Sequence, residues 1–285
     1  FFKPAASFGD YDGDGDLDLF ITGDTNSSSS WKIPVTFLFR NDAGTFYQTD
    51  DNFNEARNGD AKWGDFDNDG DLDLVASGSN SWLWVSLHFY KNVNNTLVLN
   101  QSFNTSGMDY GFIDLADFDE DGDIDVLVGG RSSWDGQRSL RIFGNNNGYF
   151  SDLNLGLEGL YNCSGNWGDY DNDGDLDIVI NGTMTMEGGD TTILYRNDAG
   201  SYVMVTNQIP GSAQKIHFGD YNNDGLLDII AGNNYLRSRH ETYLLKVVAE
   251  TRPGSRPVAG RAECACITHR RKEAAAKARI REIGI

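Results

Sequence analysis

One eleven-residue segment recurs five times in this chain. Its copies are Gly9–Leu19 (GDYDGDGDLDL), Gly64–Leu74 (GDFDNDGDLDL), Ala116–Val126 (ADFDEDGDIDV), Gly168–Ile178 (GDYDNDGDLDI) and Gly219–Ile229 (GDYNNDGLLDI). Their first aspartates lie 55, 52, 52 and 51 residues apart. A repeat of this length cannot bury its own faces. Successive copies must therefore stack, as the blades of a propeller or the coils of a solenoid.

The text around each copy selects the propeller. A short aromatic-bearing segment leads in, as in Lys62-Trp63-Gly64, and an apolar segment follows, as in Leu72–Gly78. A third segment, Thr36–Gly44 or Thr192–Gly200, ends in Asn-Asp-Ala-Gly turn chemistry, and a fourth begins at Thr45 or Ser201. Four short strands per repeat predict an all-β chain whose blades are four-stranded antiparallel sheets. Apolar residues on both faces fit a sheet covered on both sides. The repeats start near residues 7, 62, 114, 166 and 217. About five blades are expected, in an incomplete ring of seven, over residues 1–245.

The acidic loop has the form Asp-x-Asp-x-Asp-Gly-x-x-Asp. Two of its carboxylates, ionised about 4 Å apart, repel by roughly 4 kcal/mol at an effective dielectric of about 20, so the loop calls for a cation. Ca²⁺ takes six to eight hard oxygen ligands in a flexible shell. Loop positions 1, 3, 5 and 9 offer carboxylates, position 7 a main-chain carbonyl, and the Gly at position 6 a sharp turn. An EF-hand would need Glu at position 12, where this chain has Ile21, Ala76, Val128, Ile180 and Ala231. Mg²⁺ demands stricter octahedral geometry, and Zn²⁺ prefers His or Cys. A single loop could be a solvated acidic turn, but five at near-constant spacing point to calcium.

These five segments resemble the FG-GAP/VCBS repeats found in the integrin α-subunit propeller and in many secreted bacterial proteins. The likeness spans about residues 7–245 and implies one Ca²⁺ per loop, about five ions. Carried over residue by residue, the ligands are Asp10, Asp12, Asp14 and Asp18 with the carbonyl of Asp16. They continue with Asp65, Asp67, Asp69, Asp73 and Asp71; Asp117, Asp119, Asp121, Asp125 and Asp123; and Asp169, Asp171, Asp173, Asp177 and Asp175. The fifth set departs from the pattern: Asp220, Asn222, Asp224 and Asp228 with the carbonyl of Leu226. Asn222 costs that loop one charge. Every copy carries the motif, which resembles the VCBS proteins more than an integrin. The resemblance implies an extracellular, secreted or cell-surface module for adhesion to a protein or glycan.

Charge divides the chain. Residues 1–236 carry −27 and residues 237–285 carry +7, within a total of −20. The acidic body excludes nucleic acid as its partner, and no apolar run is long enough for membrane insertion. The start at Phe1, without Met, fits a mature form or a fragment. From residue 246 a basic tail replaces the repeat. It contains Arg-Pro-Gly-Ser-Arg-Pro, Cys264-Ala-Cys266 and a helix-forming stretch at Glu273–Arg281. It is expected to be disordered or non-native and to add no strand. With Cys163 standing alone in the body, the cysteines form no disulfide framework.

Sequons at Asn26, Asn94, Asn104, Asn162 and Asn181 permit a secreted reading. No nucleophile elbow, zinc-protease motif or phosphate loop occurs, so no enzyme is expected. Alternatives are a non-catalytic accessory domain of a larger secreted enzyme, or a lectin-like propeller. Trp31, Trp82, Trp84 and Trp134 could stack on sugars or pack between blades.

Overall fold

The computed structural model describes residues 4–25, 33–80, 84–104, 109–131, 137–185, 188–205 and 215–232 in full, and the backbone of 2–3, 206–209, 241–250, 258–268 and 279–281. Among the described residues there is no helix. Each repeat folds into one sheet whose strands are neighbours in chain order. The first sheet holds β1 (Phe2–Gly9), β2 (Asp18–Asp24), β3 (Pro34–Asp42) and β4 (Thr45–Gln48). The second holds β5 (Ala61–Gly64), β6 (Asp73–Ser79), β7 (Val85–Asn92) and β8 (Leu97–Phe103). The third holds β9 (Asp109–Ala116), β10 (Asp125–Arg131), β11 (Arg138–Asn146) and β12 (Tyr149–Asp152). The fourth holds β13 (Tyr161–Gly168), β14 (Asp177–Thr185), β15 (Gly188–Asp198) and β16 (Ser201–Ile209). The fifth holds β17 (Lys215–Gly219), β18 (Asp228–Gly232), β19 (Glu241–Glu250), β20 (Val258–Thr268) and β21 (Arg279–Arg281). These antiparallel sheets are blades of the propeller type.

The chain divides into two units, Phe1–Asn162 and Cys163–Ile285. In the first unit the period of two along each strand sorts side chains to opposite faces of the second sheet. Leu74, Ala76 and Tyr90 pack on one side with Phe20 and Leu38. Val75, Leu87 and Phe89 pack on the other with Ile113, Val126, Phe143 and Phe150. Rings of Phe89 and Phe150 stack with centroids 3.8 Å apart. All of β6 is buried, as a strand covered on both faces must be. Each such large apolar side chain contributes about 1.5–3 kcal/mol by leaving water. In the second unit Tyr170, Val179 and Leu194 pack against Ile216, Ile229 and Ala231.

Turn chemistry sets the hairpins between third and fourth strands. Ala43-Gly44, Asn147-Gly148 and Ala199-Gly200 all have positive φ, the two-residue turn that matches strand twist. The fifth repeat lacks that turn, and here the structure departs from the sequence expectation. β19 runs on to Glu250 and pairs with β20, which pairs with β21, so the tail adds strands to this sheet. The physical reason lies in Val247-Val248: β-branched residues stand where the turn would be, and they extend the strand. The expected helix at Glu273–Arg281 is also corrected at its end, where Arg279–Arg281 is β21; residues 269–278 lie outside the described residues.

Candidate metal centre

Each acidic loop joins the first two strands of its sheet. Position 1 follows the residue that ends the first strand, a Gly in four repeats and Ala116 in the third, and position 9 opens the second strand. Two backbone bends make the loop. Position 6 is Gly with φ of 94°, 95°, 96°, 96° and 84° at Gly15, Gly70, Gly122, Gly174 and Gly225. Only glycine takes this conformation without strain. Position 4 is also left-handed, at Gly13, Asn68, Glu120, Asn172 and Asn223. Asn tolerates that region well; Glu120 does so less readily.

The aspartates build the turn as well as charging it. In the second loop Asp65 accepts the N–H groups of Asp69 (3.1 Å) and Gly70 (3.0 Å). Asp117, Asp169 and Asp220 repeat both bonds. The position 5 carboxylates of Asp14, Asp69, Asp121, Asp173 and Asp224 each accept the N–H of position 7. Position 7 reaches farther. Asp16, Asp123 and Asp175 accept N–H groups of Ala43, Asn147 and Ala199 in the third-to-fourth strand turn, at 2.7–2.8 Å.

Position 9 ties the loop to the body of the sheet. Asp18, Asp73, Asp125 and Asp177 accept the position 2 N–H on one oxygen. Their other oxygen accepts the N–H of Asn41, Asn92, Asn145 and Asn197 on the third strand, at 2.7–2.8 Å. All four aspartates are at most 2% exposed.

Four loops bring three carboxylates together. The groups are Asp10, Asp12 and Asp18; Asp65, Asp67 and Asp73; Asp117, Asp119 and Asp125; and Asp169, Asp171 and Asp177. Within each, one oxygen per residue lies within 4.8 Å of the others. Burial pushes Asp73 and Asp125 up to about 6 and Asp177 up to about 7, against their backbone hydrogen bonds. It also raises Asp171 to about 6, with further repulsion from Asp173 and Asp169. Asp12 and Asp119 rise for the same reasons. An oxygen of Asp10, of Asp67 and of Asp171 is buried with no hydrogen-bond donor. Clustered, desolvated acceptors without donors fit a hard dication.

The sequence-derived ligand sets thus divide. Positions 1, 3 and 9 converge in four loops, while position 5 spends one oxygen on the turn and position 7, in the first, third and fourth loops, spends its side chain on the hairpin. In the fifth loop the Asn222 side chain accepts the Asp224 N–H at 2.8 Å. Asn92 and Asn145 carry roles that sequence reasoning missed. Asn92 donates to the carbonyls of Leu72 in its own loop and Tyr11 in the preceding one. Asn145 does the same with Ile124 and Phe66. An Asn recurring about twenty residues past position 9 was the available signal.

Trp84 is 60% exposed. Trp31, Trp82 and Trp134 lie outside the described residues. Among the described residues no helix is long and apolar enough to cross a membrane.

A family model of the FG-GAP-like repeat matches the chain four times, over residues 10–76, 65–128, 117–180 and 169–231. Each match runs from one acidic loop into the second strand of the next repeat. No curated protein matches the chain.

Proposed function

The chain belongs to the FG-GAP-like repeat family, and we propose that it is an extracellular, calcium-loaded interaction scaffold that binds a protein or glycan and has no catalytic role of its own. The observation that carries this reading is the loop geometry. Three carboxylate oxygens converge within 4.8 Å in each of four loops, and buried oxygens of Asp10, Asp67 and Asp171 have no donor. Calcium, when bound, supplies the positive charge and the oxygen-coordinating centre that these groups lack. Positions 1, 3 and 9 would hold it, with the second oxygen of position 5 and the position 7 carbonyl completing the shell. Five ions would lower the charge of the acidic body from −27 to −17.

The loops act as rivets at the sheet ends, and the ligand surface is elsewhere. Trp84, exposed just before β7, supports stacking on a sugar ring. Weak sites, with dissociation constants of about 10⁻⁴ to 10⁻³ M, would suit an extracellular module.

Calorimetric titration with calcium, alongside thermal melts with and without chelator, tests the reading. Calcium should give heat and raise the melting temperature, and magnesium should do much less. Ligand excess of about a hundredfold over the dissociation constant stabilises by about 2.7 kcal/mol per independent site. Coincident melts without calcium heat would overturn it. A glycan array probed with wild type and Trp84→Ala tests the sugar arm.

A further inference from the structure

The third strand of each of the first four sheets places one residue beside the acidic loop. Loop position 10 pairs across the sheet as Leu19 with Phe39, Leu74 with Tyr90, Val126 with Phe143 and Ile178 with Tyr195. The residues that follow these partners are Arg40, Lys91, Gly144 and Arg196. They occupy one structural position with three different outcomes. Arg40 and Arg196 hydrogen-bond the carboxylates two residues along, Asp42 and Asp198, both at 2.9 Å. Gly144 brings no side chain. Lys91 turns into its loop: its ammonium contacts Oδ2 of Asp67 and lies 3.4 Å from Oδ2 of Asp69.

Asp67 is position 3 of the second loop and belongs to its converging trio, with Asp65 and Asp73. Its surroundings hold it in place. A Cβ on Gly148, in the turn of the third sheet, would lie 2.9 Å from the Asp67 Cβ, so that turn sits directly against it. Resting on the calcium reading above, we propose that Lys91 is an internal competitor for the divalent ion of the second loop. The ammonium sits on Oδ2 of Asp67, beside the buried Oδ1 that has no donor, and cancels part of the charge that attracts the ion. An entering ion must detach Lys91 from Asp67 and then tolerate its charge nearby.

The consequence is a graded set of sites. The second loop is the weaker divalent site and holds its form on Lys91 when calcium is scarce. The third loop, beside Gly144, has no such substitute and depends on the ion. A single calcium range then rigidifies one part of the first unit before another.

Nuclear magnetic resonance resolves the loops one by one in the full chain. The amides of Gly70 and Gly122 donate to Asp65 and Asp117, so each reports its own loop. In wild type, titrated with calcium chloride, Gly70 should reach its midpoint at higher calcium than Gly122. Lys91→Met should lower the Gly70 midpoint by about tenfold, the equivalent of 1.4 kcal/mol, and leave Gly122 in place. The reciprocal Gly144→Lys should raise the Gly122 midpoint. Gly144→Ala controls for bulk there, since the nearest atom to the added carbon is the flexible Leu153 side chain at 3.1 Å. If Gly70 and Gly122 titrate together in wild type, or Lys91→Met leaves Gly70 unmoved while the other glycines respond, the inference falls and the calcium reading stands. If no glycine amide responds in wild type, the calcium reading itself falls and takes this inference with it. Should Lys91→Met fail to fold, the Gly144 pair decides the matter alone.

Discussion

The fourth and fifth acidic loops share a backbone and differ in nearly everything that gives the loop a purpose. Asp169 and Asp220 fold their turns with the same pair of amide bonds, and Asp173 and Asp224 cap position 7 alike. Beyond the turn they part. The fourth loop converges three carboxylates, clamps Ala199 through Asp175 and anchors Asp177 on Asn197. The fifth has Asn222 for the charge and Leu226 for the clamp. Ile229 pairs with Leu245 as Ile178 pairs with Tyr195, so Val247 stands where Asn197 would be. The turn is therefore a local property of seven residues. The site is a separate property, assembled from residues the turn does not need.

Cutting the anchor of the fourth loop should have the largest effect. Asp177 is fully buried and accepts N–H groups from Tyr170 and Asn197. Asp177→Ala leaves both buried donors unpaired, at about 1–3 kcal/mol each, and removes a ligand. Urea unfolding in calcium should show a loss of about 2–4 kcal/mol, within the range of severe point mutations. A loss below about 0.5 kcal/mol would show that the anchor is replaceable and that the two loops differ less than their geometry says.

Acidity gives the next largest effect. In calcium-free protein Asp177 and Asp171 titrate near 7 and 6, above the unfolded value of about 4. Between those values the folded state holds more protons than the unfolded state. Stability from these groups is thus greatest at low pH and is lost as pH rises through 6–7. Calcium binds the ionised form and cancels the loss. The stabilisation by calcium should therefore grow between pH 5 and 7.5, read as the difference between melts with calcium and with chelator. His88, buried and held neutral with its pKa lowered to about 4, titrates alike in both and drops out of that difference. Asp171→Asn makes the fourth loop resemble the fifth and should make the trend shallower, with Asp177, Asp73 and Asp125 carrying the rest. An equally steep trend in this variant would assign it to other carboxylates.

Charge restored to the fifth loop has a smaller, local effect. Asn222→Asp should tighten calcium there by about tenfold, or 1.4 kcal/mol, seen in the amide of Gly225, with Gly174 unchanged. No change would mean that charge at position 3 does not limit the site.

Legibility in the sequence follows the same division between local and assembled. The four-stranded sheets, their strand order and the recurring acidic loop were readable, because period and alternation act over short spans; that positions 1, 3 and 9 draw together apart from 5 and 7 was not. The contact of Lys91 with Asp67 joins residues 24 apart in sequence and depends on strand register, so no motif displays it. The roles of Asn92 and Asn145 were not legible, since each donates to a carbonyl in the preceding blade. The strands at Val258–Thr268 and Arg279–Arg281 were missed because their charge and composition break with the repeat, whereas backbone pairing needs neither. Hydrogen bonding along a strand edge is open to most residue types.

The smallest expected effect concerns position 7, where the two loops differ most in chemistry. Asp175→Leu copies the fifth loop into the fourth and takes the acceptor from the Ala199 amide. Ala199 is exposed, so water can replace the lost partner. The cost should be about 0.5–1 kcal/mol, a net hydrogen bond. The reverse change, Leu226→Asp, has no hairpin to clamp. By the register of Ile229 with Leu245, the counterpart of Ala199 is Ala249, which lies inside β19 and pairs with Ala259. An added carboxylate there gains no turn amide and should leave the melting temperature of the calcium-free protein within about 0.5 kcal/mol of wild type. Its charge sits on a side chain turned to the clamp position and not to the ion, so the Gly225 midpoint should move less than with Asn222→Asp. A stabilisation by Leu226→Asp as large as the loss from Asp175→Leu would show that the position 7 carboxylate serves the loop itself, and the separation of turn from site drawn from the two loops would fail at that residue.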